Sequence, residues 1–96
     1  MLSLNYMAKK ALEIATKRGK VDCRTTDMEQ IAAIRAELAE LADATKKKSL
    51  HLPCFTEQEE EAADVIIATL TYLARKNVDV DLLLIAKMRF NETRED

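Results

Sequence analysis

Pro53 and Gly19 are the only proline and glycine in the chain. A sequence with so few breakers and so many Ala, Leu, Glu and Lys residues has little means of making tight turns and every reason to form long helices. The remaining punctuation is chemical. Thr26 precedes Glu29 by three residues, and Thr56 precedes Glu59 by three. Each pair has the spacing of a capping box, in which a hydroxyl and a carboxylate satisfy backbone N–H groups at a helix start.

These signals predict four helices. The first spans about 4–18 and stops at Gly19. The second starts after Thr26, carries the stripe Ile31, Ile34, Leu38 and Leu41, and is expected to run to about Lys48, with Lys46, Lys47 and Lys48 at its C-terminus offsetting the helix dipole. Residues 49–55 form a loop around Pro53. The third helix spans about 57–76 and ends near Asn77. The fourth, capped by Asp79, spans about 80–92 and is expected to fold back antiparallel to the third, because the link is short.

The segments Val65-Ile66-Ile67 and Leu82-Leu83-Leu84-Ile85 put apolar groups around most of their helices. Such helices are buried on several sides, which four short helices cannot do for one another. The fold expected is therefore all-α, a single domain over 1–96 built as a four-helix antiparallel bundle completed by homodimerisation, or a homotetramer.

Composition narrows the function. With 15 Lys and Arg against 17 Asp and Glu, the net charge is −2. This balance excludes a protein that grips a nucleic-acid polymer by its phosphates. No apolar run approaches the length of a membrane span, and no signal-peptide pattern opens the chain. Two cysteines, Cys23 and Cys54, far apart and outside any CxxC pair, fit a cytoplasmic protein with reduced thiols.

The chemistry-bearing residues are acidic. Glu37 and Glu40 lie one turn apart on the second helix, with Ala33 and Ala44 leaving room beside them. Glu61 and Asp64 repeat the i, i+3 spacing on the third, with Ala68 and Thr71 continuing that face. If the two helices pack antiparallel, both pairs can face one space. Four carboxylates so placed repel unless cations neutralise them, and hard oxygen ligands suit Mg²⁺, with Mn²⁺ as a substitute. Acidic pairs also occur on solvated helix faces, and spacing alone does not choose between Glu60 and Glu61 as the partner of Asp64. On the fourth helix Lys87, Asn91 and Arg94 follow i, i+4, i+7, a row able to hold phosphate oxygens or simply an ordinary solvated helix end. The sole histidine, His51, lies in the loop and completes neither a di-iron nor a zinc ligand set.

Taken in order, Glu37-Leu38-Ala39-Glu40, Glu61-Ala62-Ala63-Asp64 after twenty intervening residues, and Lys87, Asn91 and Arg94 resemble the ExxE, ExxD and closing Lys, Asn, Arg motifs of MazG-like nucleotide pyrophosphohydrolases, in the all-α nucleoside triphosphate pyrophosphatase superfamily. The stretch Lys17, Arg18, Gly19 resembles the end of that family's first helix. Relatives often carry a Glu where this chain has Ala36, and stack the base on aromatics, of which only Tyr6, Phe55, Tyr72 and Phe90 are present here.

The resemblance implies a Mg²⁺-dependent hydrolysis of the α–β phosphate bond of a nucleoside triphosphate, giving the monophosphate and pyrophosphate. Glu37, Glu40, Glu61 and Asp64 would be the metal ligands and catalytic carboxylates, and Lys87, Asn91 and Arg94 would bind the substrate's phosphates. The alternatives are a catalytically weak nucleotide-binding relative, a non-enzymatic helical assembly module and, within the same chemistry, a phosphoribosyl-ATP pyrophosphatase.

Overall fold

The structure is a computed structural model and describes residues 3–95. Among the described residues it contains four helices: α1 (Leu4–Lys17), α2 (Asp27–Asp43), α3 (Glu57–Arg75) and α4 (Val80–Thr93). Both capping boxes form as the spacing predicts. Thr26 accepts from the Glu29 amide while Glu29 accepts from the Thr26 amide, and Thr56 and Glu59 do the same. Asp79 caps α4 through the Leu82 amide.

Two helices end in the same way. Gly19 takes φ +74°, donates to the Thr16 carbonyl, and is followed by a Lys20 amide bonded to the Ala15 carbonyl. Asn77 takes φ 57°, donates to the Ala74 carbonyl, and is followed by a Val78 amide bonded to the Leu73 carbonyl. Each is a left-handed closing turn that satisfies the last free carbonyls. Asparagine serves in the second because its short polar side chain tolerates that conformation.

The second helix is shorter than the sequence predicts. It ends at Asp43, and Ala44 is already extended, so Lys46, Lys47 and Lys48 do not sit on a helix C-terminus. The reason is the unsatisfied start of α3. The Glu57 amide donates to the Lys47 carbonyl and the Gln58 amide to the Thr45 carbonyl. Lys48 and Thr56 form an isolated antiparallel bridge. The segment leaves the helix to supply acceptors that α3 lacks at its first turn.

α3 is the centre of the molecule. α1 and α2 each pack along it, and neither packs on the other. Both run antiparallel to α3. Arg75 at the end of α3 reaches Gln30 and the Thr25 carbonyl at the start of α2, and Glu57 at its beginning reaches Thr45 beyond the end of α2. The core is small: Ala8, Ala11, Leu70 and Val80, with Leu73 and Ala74 against them. Because α1 and α2 stay apart, a groove remains between them, floored by α3.

α4 does not return along α3 as the short link predicts. Its first turn is fixed by a polar clamp. The Asn5 amide nitrogen donates to Asp79 and Asp81, its oxygen accepts from the Val80 amide, and Asp81 also accepts from the Leu4 amide. The starts of α1 and α4 thus cap each other. Val80 is fully buried there, whereas every described residue from Leu82 onward is exposed, including Leu82, Leu83, Leu84, Ile85, Met88 and Phe90. The radius of gyration is 14.9 Å, against about 12.5 Å for a compact domain of this length. Within one chain the helices make a three-helix body with α4 leaving it. No helix among the described residues is long and apolar enough to cross a membrane.

Candidate functional site

The groove between α1 and α2 encloses about 490 Å³. Its walls are kept low by Ala11 and Ala15 on α1, Ala33 on α2 and Ala68 on α3. Ala33, Ala68 and Thr71 were expected beside the acidic pairs from spacing, and all three line the groove. Ala44 lies beyond the end of α2 and does not.

The acidic residues gather at one end. One carboxylate oxygen from each of Glu37, Glu61 and Asp64 lies within 4.8 Å of the other two. Glu40, more exposed, lines the same space and stands close enough to raise the proton affinity of Glu37 and Glu61. The antiparallel packing of α2 on α3 therefore brings both pairs to one place. One oxygen each of Glu37 and Glu61 is sealed from solvent without any hydrogen-bond donor among the described residues. A carboxylate oxygen in that condition carries a large desolvation cost unless a cation or proton meets it.

The electrostatics agree. Burial pushes Glu37 above the usual carboxylate range, helped by the charges of Glu40 and Asp64. Burial raises Glu61 as well, with Asp64 and Glu40 adding to it. Asp64 is raised by burial, then by Glu60 and Glu40, while the Arg18 guanidinium opposes the rise. All three shifts have the sign expected of a site where burial and like charges outweigh the nearby cation.

Spacing left Glu60 and Glu61 as equal partners for Asp64, and the structure separates them. Glu60 turns to the loop, where it is bonded by the buried Ser49 hydroxyl and faces His51 Nδ1 at 3.0 Å. Those two partners hold the Glu60 carboxyl below the usual range. Ser49 in turn accepts from the His51 and Leu52 amides. Ser49, His51 and Glu60 are a staple for the 49–55 loop, and Glu61 is the residue turned to Glu37.

Lys87 and Asn91 lie one turn apart on α4, whereas Arg94, expected to continue that face, is the C-cap just beyond Thr93 with an extended backbone. The Lys87 ammonium lies 4.6 Å and the Arg94 guanidinium 5.8 Å from the Phe90 ring centroid, and Arg94 donates to the Asn91 side chain at 3.2 Å. The three side chains stay near one another, yet one chain does not bring them to the acidic groove, since α4 has no contact with α2.

Sequence reasoning missed three groove residues. Arg18 and Lys20 flank Gly19, and the closing turn at that glycine brings both to the groove beside the carboxylates. Gln30, only 4% exposed, lines the groove away from the acids, in a helix position where a polar residue gives no warning of burial. The basic run around Gly19 was a usable signal; Gln30 gave none. None of the four aromatic residues lines the groove. Comparison with protein-family profiles, with curated proteins and with solved structures finds no match to this chain.

Proposed function

We propose that the chain is a MazG-like, Mg²⁺-dependent nucleoside triphosphate pyrophosphohydrolase. The observation that carries this reading is the pair of sealed, partnerless oxygens on Glu37 and Glu61, on different helices and both beside Asp64. A cluster of hard oxygens with no nearby His or Cys fits Mg²⁺, or Mn²⁺, better than a softer metal. The ordered ExxE, ExxD and Lys, Asn, Arg motifs supply the second support.

Held by Glu37, Glu40, Glu61 and Asp64, the cation would neutralise the phosphate chain and lower the pKa of the attacking water. A carboxylate of this group not fully engaged by the cation would take the proton from that water. The water oxygen bonds to the α-phosphorus, the bond to the bridging oxygen breaks, and pyrophosphate leaves with the electron pair. Arg18 and Lys20, at the same groove, are placed to balance charge on the phosphates.

Lys87, Asn91 and Arg94 would complete the phosphate site from a second copy of the chain. The exposed apolar face of α4 supports a homodimer or homotetramer in which this helix is covered and its basic row meets a neighbour's groove. The same face would serve a non-enzymatic assembly module, which requires no metal at the carboxylates.

The test is a pyrophosphate-release screen over natural and damaged nucleotides with and without Mg²⁺. Release that depends on Mg²⁺ and is lost in Asp64→Asn supports the reading. Absence of release from every nucleotide rejects it.

A further inference from the structure

Arg75 determines which way the buried Gln30 amide points. Its Nη1 donates to Gln30 Oε1 at 2.7 Å and its Nη2 to the Thr25 carbonyl at 2.7 Å. Guanidinium has donors only, so the Gln30 atom it meets must be the carbonyl oxygen. The amide nitrogen is then turned the other way. It donates to no protein group among the described residues, and although Gln30 is only 4% exposed and lines the groove, this nitrogen is not among the atoms sealed from solvent. An amide nitrogen held in this manner, on a nearly buried residue that lines the groove, is a donor open to an acceptor.

The groove around it suits a flat, mostly apolar guest. Ala15, Ala33, Ala68 and Ile67 lie between the acidic end and Gln30, and Thr71 stands nearby. Thr71 is 6% exposed and spends its hydroxyl proton on the Ile67 carbonyl at 2.8 Å, so it can only accept. Gln30 and Thr71 therefore offer one fixed donor and one fixed acceptor away from Glu37 and Asp64, at an end of the groove that Thr25 and Glu29 also line.

The geometry points to Gln30 as the residue that reads the nucleobase, donating to a ring carbonyl oxygen and so favouring keto bases over their amino counterparts. Arg75 is a positioning residue that stops the amide from flipping. An amino group at the same place sets donor against donor, and a buried mismatch of that kind discriminates strongly. This inference rests on the nucleotide reading of the groove, with the phosphates at the carboxylates.

The experiment uses the whole chain with Mg²⁺ and two matched pairs that differ at one position, UTP against CTP and ITP against ATP. Both kcat/KM for pyrophosphate release and Kd for the corresponding monophosphates are measured. Wild type is expected to favour the keto member of each pair at least about tenfold. Gln30→Met should bring both ratios near unity by raising KM for the keto substrate. Arg75→Met, with Gln30 intact, should narrow the ratios to within about threefold because the amide can turn over. Circular dichroism checks that each variant is folded, and a merely structural role would lower all four substrates together without altering the ratios. Keto preference in binding without pyrophosphate release keeps the base site and removes the hydrolase reading. Ratios near unity in wild type, ratios unchanged in a folded variant, or no nucleotide binding at all overturns the inference.

Discussion

Glu37 on α2 and Asp64 on α3 each place a carboxylate oxygen within 4.8 Å of the other, and of Glu61, and the Arg18 guanidinium and a hydrogen bond with Glu61 do not offset the rise in the Asp64 pKa. Two helices have been packed so as to bring like charges together. Such an arrangement costs stability in the metal-free chain, and that cost is measurable.

Asp64→Asn removes one of the repelling charges at constant size. The metal-free variant should melt about 2–5 °C above wild type, while pyrophosphate release falls at least about 100-fold. Thermal unfolding in EDTA and the release assay with Mg²⁺ check the two halves. A variant less stable than wild type without metal would show that the carboxylates are not in conflict.

The pH dependence has a defined sign. Glu37, Glu61 and Asp64 all have folded-state pKa values raised above their ordinary ones. Each therefore contributes stability that is full below the ordinary carboxylate pKa and is lost as pH rises through the raised value. Glu60 and Asp79, both lowered, act oppositely and lose stability as pH falls. In the proposed site Mg²⁺ would meet only the first group. The stabilisation produced by Mg²⁺ should thus grow from pH 4 to pH 7, as followed by urea unfolding with and without the ion. A Mg²⁺ effect independent of pH would separate the ion from these carboxylates.

Ser49→Ala distinguishes staple from site. The variant loses the bond to Glu60 and leaves the His51 and Leu52 amides without their acceptor, at about 1–3 kcal/mol. Activity per folded molecule should stay within about threefold of wild type, whereas Glu61→Gln should lose it. A large loss of kcat in folded Ser49→Ala would move Glu60 into the chemistry.

Leu84→Asp tests the role of α4. If a second copy covers this helix, the charge should yield a monomer by light scattering. That monomer should still bind Mg²⁺ but release little pyrophosphate, because its groove lacks the partner's basic row. A variant that stays dimeric and active would place the interface elsewhere.

Much of the secondary structure was legible because each helix start is written in side chains that bond their own backbone. Thr26, Thr56 and Asp79 cap the helices that the sequence assigns to them. The end of α2 was not legible. Nothing near Ala44 breaks a helix, and the chain leaves it because α3, more than ten residues on, needs the Thr45 and Lys47 carbonyls. The acidic pairs with Ala33 and Ala68 beside them were readable from period once the two helices are taken as antiparallel, whereas Ala44 was not. Glu61 over Glu60 was not, because the choice is made by Ser49 in a loop. The departure of α4 was hidden in Asn5, whose three bonds to residues 79–81 outweigh what a short linker suggests.

That clamp makes α4 a lever with its pivot at Asn5. About 20 Å of helix separates the pivot from Arg94, so a tilt of some 10° at Val80 swings the far end by about 3–4 Å. Small substitutions around Asn5, far from any phosphate, therefore govern where the basic row arrives.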